Sequence, residues 1–510
     1  MTKIAAKITN RKAEFLLTNT LTGKREPFKT QVPGKVLFYT CGPTVYGPLH
    51  IGNMRALVVG DLIFRWLKHL GFDVNFVRNY TDVDDKIINR ANEEKISALE
   101  VAQKYIDYCD TDMKLLGLQA PTKTVRVTDS MDDILKIIEK IIANGKAYVV
   151  DGEVLFSIEG FPGYGKLSGK NVEDLVAGSR VEVDKKKKNP ADFSLWKPAK
   201  PGEPFWESPW GKGRPGWHIE CSAMVSHWLG ETIDLHHGGQ DLIFPHHENE
   251  IAQSEAATGK PFCNHWVHHA FITAGNEKMS KSLGNILPTR KFIEIYGAEL
   301  LRFIFVSFQY RSELPYTQPM LAQSMGELER IYLAKKWARQ AASEPVSHDG
   351  KGATWSALIG KAREVFSKME EELLSDLNTP GALGHLFSYI RELNRVEGEA
   401  SGRAGAHPAS SAERKEVARE FLHLLETQIN PLLNVFAEEP QAMLDKLESI
   451  RRSKQSSSLS DDEIKAMIQA RLDARKMKDF KKADDIRQAL DAQGIVLLDS
   501  PQGTTWKAKG

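Results

Sequence analysis

The stretch from residue 36 to residue 70 constrains the fold more than any other part of the chain. Residues 36–39 are apolar and strand-forming, residues 40–55 hold a turn rich in glycine and proline, and residues 55–70 repeat apolar side chains at helical spacing. With a second strand predicted at residues 72–80, this order is typical of a β-α-β unit in a parallel α/β sheet. The free N–H groups and dipole at the start of such a helix favour phosphate binding.

Two short motifs contain candidate ligand-binding residues. His50, Gly52 and Asn53 lie on the first turn of the predicted helix, where Gly52 permits close approach to the backbone. By itself this turn indicates only a βα loop, which is common in doubly wound sheets. Residues 278–282, Lys-Met-Ser-Lys-Ser, add Lys278 and Lys281, which are spaced for one polyphosphate, although an exposed basic turn has the same composition.

The composition narrows the class of protein. A chain of 510 residues is long enough for several domains, and its formal net charge of +1 leaves polyanion binding to local patches. The four cysteines are scattered and form no Cys-x-x-Cys pair, which is typical of a reducing compartment. Because we find neither a secretory apolar segment nor an apolar run of 18 residues, we expect a cytoplasmic protein without a membrane span.

Four side chains have the chemistry of a metal site. His246 and Glu250 are four residues apart on a predicted helix and share one face. Cys41 and Cys221 belong to βα connections of the same predicted sheet, so their thiols can converge at its carboxyl edge. Two thiolates, one imidazole and one carboxylate form a complete tetrahedral zinc set. Spacing alone does not bring them together, because buried cysteines also serve as small apolar residues.

We predict an α/β fold: a Rossmann-like parallel-sheet catalytic domain with an α+β insertion, a C-terminal α-helical bundle, and a small α/β terminal module. The helical periodicity beyond residue 315 and the serine-rich linker near residue 455 indicate the later boundaries. The predicted segments are a first catalytic half at 1–99, a connective insertion at 100–215, a second catalytic half with the metal site at 216–272, a lysine-loop region at 273–315, a helical bundle at 316–455, and a small terminal module at 456–510.

These motifs, in this order, resemble those of the cysteinyl-tRNA synthetases, a family of class I aminoacyl-tRNA synthetases, and the resemblance spans nearly the whole chain. His50-Ile-Gly-Asn53 matches three of four positions of the class signature, and residues 278–282 match its second signature completely. Three further runs look specific to the cysteine family and start at Cys41, Gly216 and Phe244. The one departure is Asn53, where the signature has histidine; an amide can still donate a hydrogen bond to a phosphate or ribose oxygen.

The resemblance implies ATP-dependent activation of L-cysteine to cysteinyl-adenylate, then transfer to the 3′ end of tRNA(Cys), with one zinc ion per chain and magnesium accompanying ATP. It also implies that residues 273–315 contact the tRNA stem, that the helical bundle at 316–455 binds tRNA and its anticodon, and that the module at 456–510 recognises the anticodon. Because the sequence shows no strong dimer signature, we expect a monomer. The resemblance further implies a role for each candidate residue. The zinc ligands would be Cys41, Cys221, His246 and Glu250. The catalytic residues would be His50, Asn53, Lys278 and Lys281, and these four would bind ATP together with Gly52 and Asp241. The residues that contact the amino acid would be Gly42, Thr44, Thr81 and Trp217.

Two other functions fit parts of the sequence. A cysteine ligase of the same fold could use a small amino-sugar acceptor, but the roughly 190 residues after the lysine loop favour an extended partner such as tRNA. A non-catalytic RNA-binding relative would be expected to lose zinc ligands or the lysine loop, and this chain keeps both. Pyrophosphate exchange with cysteine and ATP, compared with tRNA charging, separates the three functions.

Overall fold

The structure of the chain is a computed structural model. It describes residues 14–170, 186–274, 277–278, 287–345, 353–401, 412–454, 461–477, 479–493, 495–500 and 503–508. Among these residues, no helix combines the length and the apolar character that crossing a bilayer requires.

The strands of the described residues are short and fall mostly in the first 315 residues. In chain order they are β1 (Leu16–Asn19), β2 (Lys24–Pro27), β3 (Lys35–Thr40), β4 (Asp73–Tyr80), β5 (Lys123–Arg126), β6 (Ala147–Val150), β7 (Glu153–Phe156), β8 (Phe193–Pro198), β9 (Gly213–Pro215), β10 (Ile233–Gly239), β11 (Cys263–His269), β12 (Ile272–Ala274), β13 (Glu277–Lys278), β14 (Leu314–Pro315), β15 (Ile495–Ser500) and β16 (Gly503–Ala508).

The α-helices connect these strands and then form the C-terminal half of the chain. In chain order they are α1 (Ile51–His69), α2 (Asp85–Glu94), α3 (Ala98–Leu115), α4 (Met131–Ala143), α5 (Trp217–Trp228), α6 (Glu248–Thr258), α7 (Thr289–Tyr296), α8 (Ala298–Ser307), α9 (Gln318–Ser343), α10 (Ala353–Leu374), α11 (Thr379–Ser401), α12 (Ala412–His423), α13 (Asn430–Leu433), α14 (Pro440–Lys454), α15 (Asp461–Lys476) and α16 (Phe480–Ala492).

The central sheet is parallel and has the order β11-β10-β3-β4-β5. This confirms the predicted α/β fold, in which β3, α1 and β4 form the β-α-β unit. Because β4 and β10 pair with opposite edges of β3, the chain reverses its direction of travel across the sheet at β3. Ligand crevices of open α/β sheets lie at the carboxyl ends of the strands at such a reversal.

The segment predicted as an insertion, 100–215, contributes to two different sheets. β5 pairs with β4 at the edge of the central sheet, whereas β6 to β9 form a separate antiparallel sheet. The independent sheet therefore begins only at Ala147. Sequence periodicity favoured helices throughout 88–145, because the four residues of β5 are too few to show an alternating pattern of their own.

The predicted helical bundle begins at α9 and shares one hydrophobic core with the catalytic half. This core runs from Trp66 of α1 through Phe303 of α8 to Leu328, Leu386 and Phe436 of the bundle region. A second core lies between the central sheet and the insertion, and a third, small core belongs to the terminal module of α15, α16, β15 and β16. The predicted terminal hairpin is present as the antiparallel pair β15–β16.

A buried charge network joins α1 to the bundle. Oδ2 of Asp61 accepts hydrogen bonds from Arg65 Nε at 2.8 Å and from Arg302 Nη2 at 2.5 Å. The remaining guanidinium N–H groups donate to backbone carbonyls at the carboxyl ends of α3 and α13, including those of Gly117 and Leu433. The negative ends of two helix dipoles thus help to neutralise two arginines that share a single carboxylate.

Replacing Asp61 with asparagine should destabilise the protein strongly, because it leaves two buried guanidinium groups without a counter-charge. We expect the free energy of unfolding to fall by about 3–5 kcal/mol, measured by denaturant titration. The matched control is Glu392→Gln, which removes an exposed ion pair with Lys361 and should change stability by less than about 1 kcal/mol. Equal effects of the two substitutions would contradict the assigned importance of the network.

Candidate metal and nucleotide site

A cavity of about 280 Å³ opens at the carboxyl ends of β3 and β10. It lies at the reversal of strand order, between the N-terminal ends of α1 and α5. Its walls include eight of the residues that the sequence predicts for the site: Cys41, Gly42, Thr44, His50, Gly52, Asn53, Trp217 and Asp241.

The four predicted metal ligands converge at the base of this cavity. The Cys41 and Cys221 sulfurs are 3.9 Å apart, Cys221 Sγ lies 3.6 Å from His246 Nε2, and Cys41 Sγ lies 3.6 Å from Glu250 Oε1. All four ligand atoms fall within 4.8 Å of one another. A tetrahedral ion with bonds of about 2.0–2.3 Å separates its ligand atoms by about 3.3–3.8 Å, so the donor set suits a metal of that geometry.

A second group of possible ligands shares two of these residues. Cys41, His236, His247 and Glu250 also present ligand atoms within 4.8 Å of one another. Sequence reasoning missed His236 and His247 as members of the site. Two features of the sequence could have indicated them. His236 follows a predicted strand, where parallel sheets bind ligands, and His247 is adjacent to the predicted ligand His246.

Histidines hold the Glu250 carboxylate in place. Oε1 lies 2.9 Å from His246 Nε2, and Oε2 lies 2.9 Å from His236 Nε2. Burial by itself would raise the pKa of Glu250, but the two imidazoles and their hydrogen bonds lower it to about 2. Glu250 is therefore an ionised carboxylate at neutral pH, which is the form that binds a cation.

The pKa values of the two thiols are shifted in opposite directions. A hydrogen bond from Cys41 lowers the pKa of Cys221 to about 6, helped by His246, whereas burial raises the pKa of Cys41 well above its usual value. One thiolate and one thiol sharing a proton are thus favoured in the metal-free cluster. Metal binding requires the second proton to leave as well, so metal affinity should increase with pH.

Trp217 closes one side of the cluster. Its ring stacks on His246 with centroids 4.4 Å apart, yet 38% of the residue is exposed toward the cavity. Nδ1 of His246 also lies 2.9 Å from Nδ1 of His218, which fixes the orientation of the ligating ring. Trp217 therefore forms a flat apolar wall between the metal ligands and the space available to a ligand.

His50 and Asn53 form a reciprocal cap at the start of α1. Nδ1 of His50 accepts from the Asn53 backbone N–H, and Oδ1 of Asn53 accepts from the His50 backbone N–H, both at 3.3 Å. An acceptor role for Nδ1 places the proton of the neutral ring on Nε2. In this arrangement Asn53 shapes the helix start, a role of the capping-box type.

Two glycines permit the close packing around the cavity. A Cβ on Gly42 would lie 1.6 Å from the carbonyl oxygen of Asn79, whose side chain also accepts from the Gly42 N–H. A Cβ on Gly52 would lie 2.9 Å from the His50 ring. Position 42 therefore excludes any side chain, and a side chain at position 52 would require the His50 ring to move.

The remaining predicted residues lie in different surroundings. Thr81 is buried behind the cavity, where its hydroxyl donates to Glu220 at 3.2 Å, and its backbone pairs with that of Thr44. Asp241 lies on the short 3₁₀ turn after β10. Lys278 ends β13, and Lys281 lies outside the described residues.

Comparisons with known proteins agree with this architecture. Residues 27–326 match the family model for the class I (C) tRNA synthetase catalytic domain, 368–436 that for the DALR domain, and 459–506 that for the cysteinyl-tRNA ligase anticodon binding domain. The cysteine–tRNA ligase of Geobacter metallireducens is 47% identical over 494 residues, covering 96% of this chain and 99% of the relative. This chain belongs to the cysteine–tRNA ligase family. The Geobacter sulfurreducens ligase is similar to the same extent, 47% over 495 residues.

Solved class I synthetases have the same fold as this cysteine–tRNA ligase family member. Mycobacterium tuberculosis methionyl-tRNA synthetase, in complex with methionyl-adenylate, superposes with a TM-score of 0.60 at 15% identity, covering 81% of this chain and 93% of that one. The Agrobacterium radiobacter LeuRS–tRNA ternary complex gives 0.55 at 12% identity, covering 82% and 86%. The class I fold predicted from the signature motifs is thus confirmed.

Replacing Gly42 with alanine should damage the cavity, because the new Cβ overlaps the Asn79 carbonyl and the backbone must shift. We expect stability to fall by about 1–3 kcal/mol and cysteine activation to fall with it. Gly360→Ala is the control: that glycine lies inside α10 with open space around it, so alanine should stabilise by about 0.5–1 kcal/mol. Thermal unfolding of both variants measures the difference, and a neutral Gly42 variant would refute the close packing.

Proposed function

We propose that this chain charges tRNA(Cys) with L-cysteine in two steps, ATP-dependent formation of cysteinyl-adenylate and transfer to the tRNA 3′ end. The observation that carries the proposal is the convergence of Cys41, Cys221, His246 and Glu250 beside a cavity formed by the class signature helix. Membership of the cysteine–tRNA ligase family supports the same reaction. We further propose that the protein acts in the cytoplasm as a monomer.

We propose zinc as the metal of the four-residue set. Its two sulfur donors favour a soft, tetrahedral ion over magnesium or calcium, which prefer oxygen ligands. His236 already bonds the second oxygen of Glu250, which supports a role for His236 in holding that ligand. When bound, zinc supplies a centre that accepts a thiolate far better than a hydroxyl, which distinguishes cysteine from serine.

The cavity walls bind and orient the amino acid in this proposal. Trp217 provides an apolar surface next to the metal ligands, and the backbone of Gly42 and Thr44 lies within reach of the substrate's polar groups. Thr81 supports this surface from behind through its pairing with Thr44. Positioning contributes most in this chemistry, because the carboxylate of cysteine must approach the α-phosphate of ATP in line.

The start of α1 and the lysine loop bind ATP in this proposal. Nε2–H of His50 and the amide of Asn53 lie at the helix N-terminus, where the dipole stabilises negative charge. Lys278 and Lys281 neutralise the β- and γ-phosphates, together with magnesium carried by ATP. Gly52 and Asp241, which both line the cavity, also bind the nucleotide.

The C-terminal half binds tRNA in this proposal. Between α15 and α16 the terminal module exposes two large apolar side chains, Met477 at 83% and Phe480 at 62%. The guanidinium of Arg452 lies 4.2 Å above the ring of Trp506, so a cation also stands beside another aromatic side chain of the module. Apolar side chains beside cations are suited to stacking on unpaired bases of RNA.

Replacing Cys221 with serine should release zinc and abolish cysteine-dependent pyrophosphate exchange, because one of two thiolate ligands is lost. We expect less than about 0.1 equivalent of zinc by metal analysis and at least a 100-fold fall in exchange, since loss of a ligand should cost more than the roughly 10- to 100-fold typical of residues that only hold a ligand in place. Cys263→Ala is the control, since this buried thiol belongs to neither ligand group and should leave one equivalent bound. Full zinc occupancy in the Cys221 variant would refute the ligand assignment.

Truncation after Gln455 should separate the two steps. The terminal module has its own small core, so the remaining chain should stay folded and retain cysteine activation within about threefold. We expect tRNA charging to fall at least 100-fold, because tRNA contacts are removed. Equal losses in exchange and charging would argue against a separate tRNA module, and exchange without charging in the full-length protein would favour the small-acceptor ligase.

A further inference from the structure

Two buried histidines at the carboxyl ends of β10 and β11 form a pair that the proposed reaction does not yet use. Nδ1 of His269 lies 3.2 Å from Nε2 of His237, and the ring centroids are 5.1 Å apart. His269 lines the cavity, whereas His237 is completely buried behind it. Neither belongs to either group of possible metal ligands.

Thr40 determines which nitrogens of this pair carry protons. Its hydroxyl oxygen lies 3.2 Å from the carbonyl oxygen of His237 and 2.8 Å from Nδ1 of the same residue. Because a carbonyl can only accept, we assign the hydroxyl as the donor to this carbonyl and as the acceptor from Nδ1–H of His237. Nε2 of His237 then carries no proton and can only accept a hydrogen bond. In the contact between the two rings, Nδ1 of His269 is therefore the donor.

Burial keeps both rings neutral. Both side chains are buried, and the contact between their facing nitrogens requires one donor and one acceptor. In a neutral His269 with its proton on Nδ1, the other nitrogen, Nε2, is a hydrogen-bond acceptor.

The Gly239 backbone, the His269 ring and Asp241 lie close together in the cavity wall. A Cβ on Gly239 would lie 3.6 Å from His269 Nε2 and 2.5 Å from Oδ1 of Asp241. There is thus no space for a side chain at position 239, and the imidazole nitrogen and the Asp241 carboxylate belong to the same part of the wall. Both groups accept hydrogen bonds, so a ligand group that contacts this part of the wall must carry donors.

We propose that His269 contacts the nucleotide directly, its Nε2 accepting a hydrogen bond from a donor group of ATP, and that His237 and Thr40 are positioning residues for it. The donor is a ribose hydroxyl or the exocyclic amine of adenine, since these are the neutral donors that ATP offers. The inference rests on the proposed function, because it requires ATP in the cavity.

The test compares wild type with His269→Leu and His269→Gln in cysteine-dependent pyrophosphate exchange, using full-length, zinc-loaded protein. Leucine removes the acceptor, whereas the glutamine amide oxygen can replace it. We expect the KM for ATP to rise about tenfold in the leucine variant, the loss of roughly one hydrogen bond, while kcat changes less than about threefold. Glutamine should recover most of the loss, and zinc content and the KM for cysteine should not change.

Nucleotide analogues identify the donor. 2′-Deoxy-ATP, 3′-deoxy-ATP and inosine triphosphate each lack one of the candidate donor groups. The analogue that lacks the group bonded to His269 should bind the wild-type enzyme about tenfold more weakly than ATP does. In the leucine variant that analogue and ATP should bind equally well, because the hydrogen bond is already lost. His237→Phe should raise the KM for ATP in the otherwise wild-type enzyme but should cause no further rise in the His269→Leu variant. This dependence on His269 is what a positioning residue should show. His265→Leu, at another buried histidine of β11, is the control and should leave the KM for ATP unchanged.

The outcomes separate this inference from the proposed function. An unchanged KM for ATP in the leucine variant of an active enzyme overturns the role of His269 and leaves cysteine activation intact. A loss of zinc in that variant overturns it as well, because the effect would then arise at the metal site. If the wild-type protein shows no exchange, the proposed function fails, and the role of His269 is then tested by calorimetric measurement of ATP binding. Equal ATP affinities of the wild type and the leucine variant would overturn that role. About tenfold weaker ATP binding by the leucine variant would support it.

Discussion

The buried carboxylate of Glu250 is the interaction on which the arrangement of the site depends. Its two oxygens bond His246 and His236, and one of them also lies 3.6 Å from the Cys41 thiol. A buried carboxylate without partners would be strongly destabilising, so these bonds help to hold α6 against β10 and the end of β3. The cluster therefore contributes to the stability of the fold.

Helix α1 connects this site to the C-terminal half. Its N-terminus presents His50 and Asn53 to the cavity, and two to three turns later Asp61 bonds Arg302 within the buried network. Because the same network holds the carbonyls at the end of α13, a shift of the bundle relative to α1 would break several buried hydrogen bonds at once. The signature turn and the bundle are thus held in one rigid relation.

The sequence predicted the fold well where periodicity is local and long. The strand–turn–helix at residues 36–70, the long bundle helices and the terminal hairpin were all confirmed. The prediction of helices throughout residues 88–145 was wrong at β5, a four-residue strand that lies in the predicted insertion but pairs with the central sheet. Pairing with β4 stabilises that strand, and hydrogen bonds to a distant strand leave no mark on the periodicity of so short a segment.

For the site, the sequence by itself determined the chemical types: two thiols, a His/Glu pair four residues apart, and a glycine-rich turn that starts a helix. Only the tertiary structure decided that Cys41 and Cys221 meet His246 and Glu250, that His236 and His247 lie beside Cys41 and Glu250, and that His269 lines the cavity. These residues come from separate strands and helices whose order in the sheet is not the order in the chain. Their proximity is set by parallel strand pairing and by the need to neutralise Glu250, which act between residues far apart in sequence.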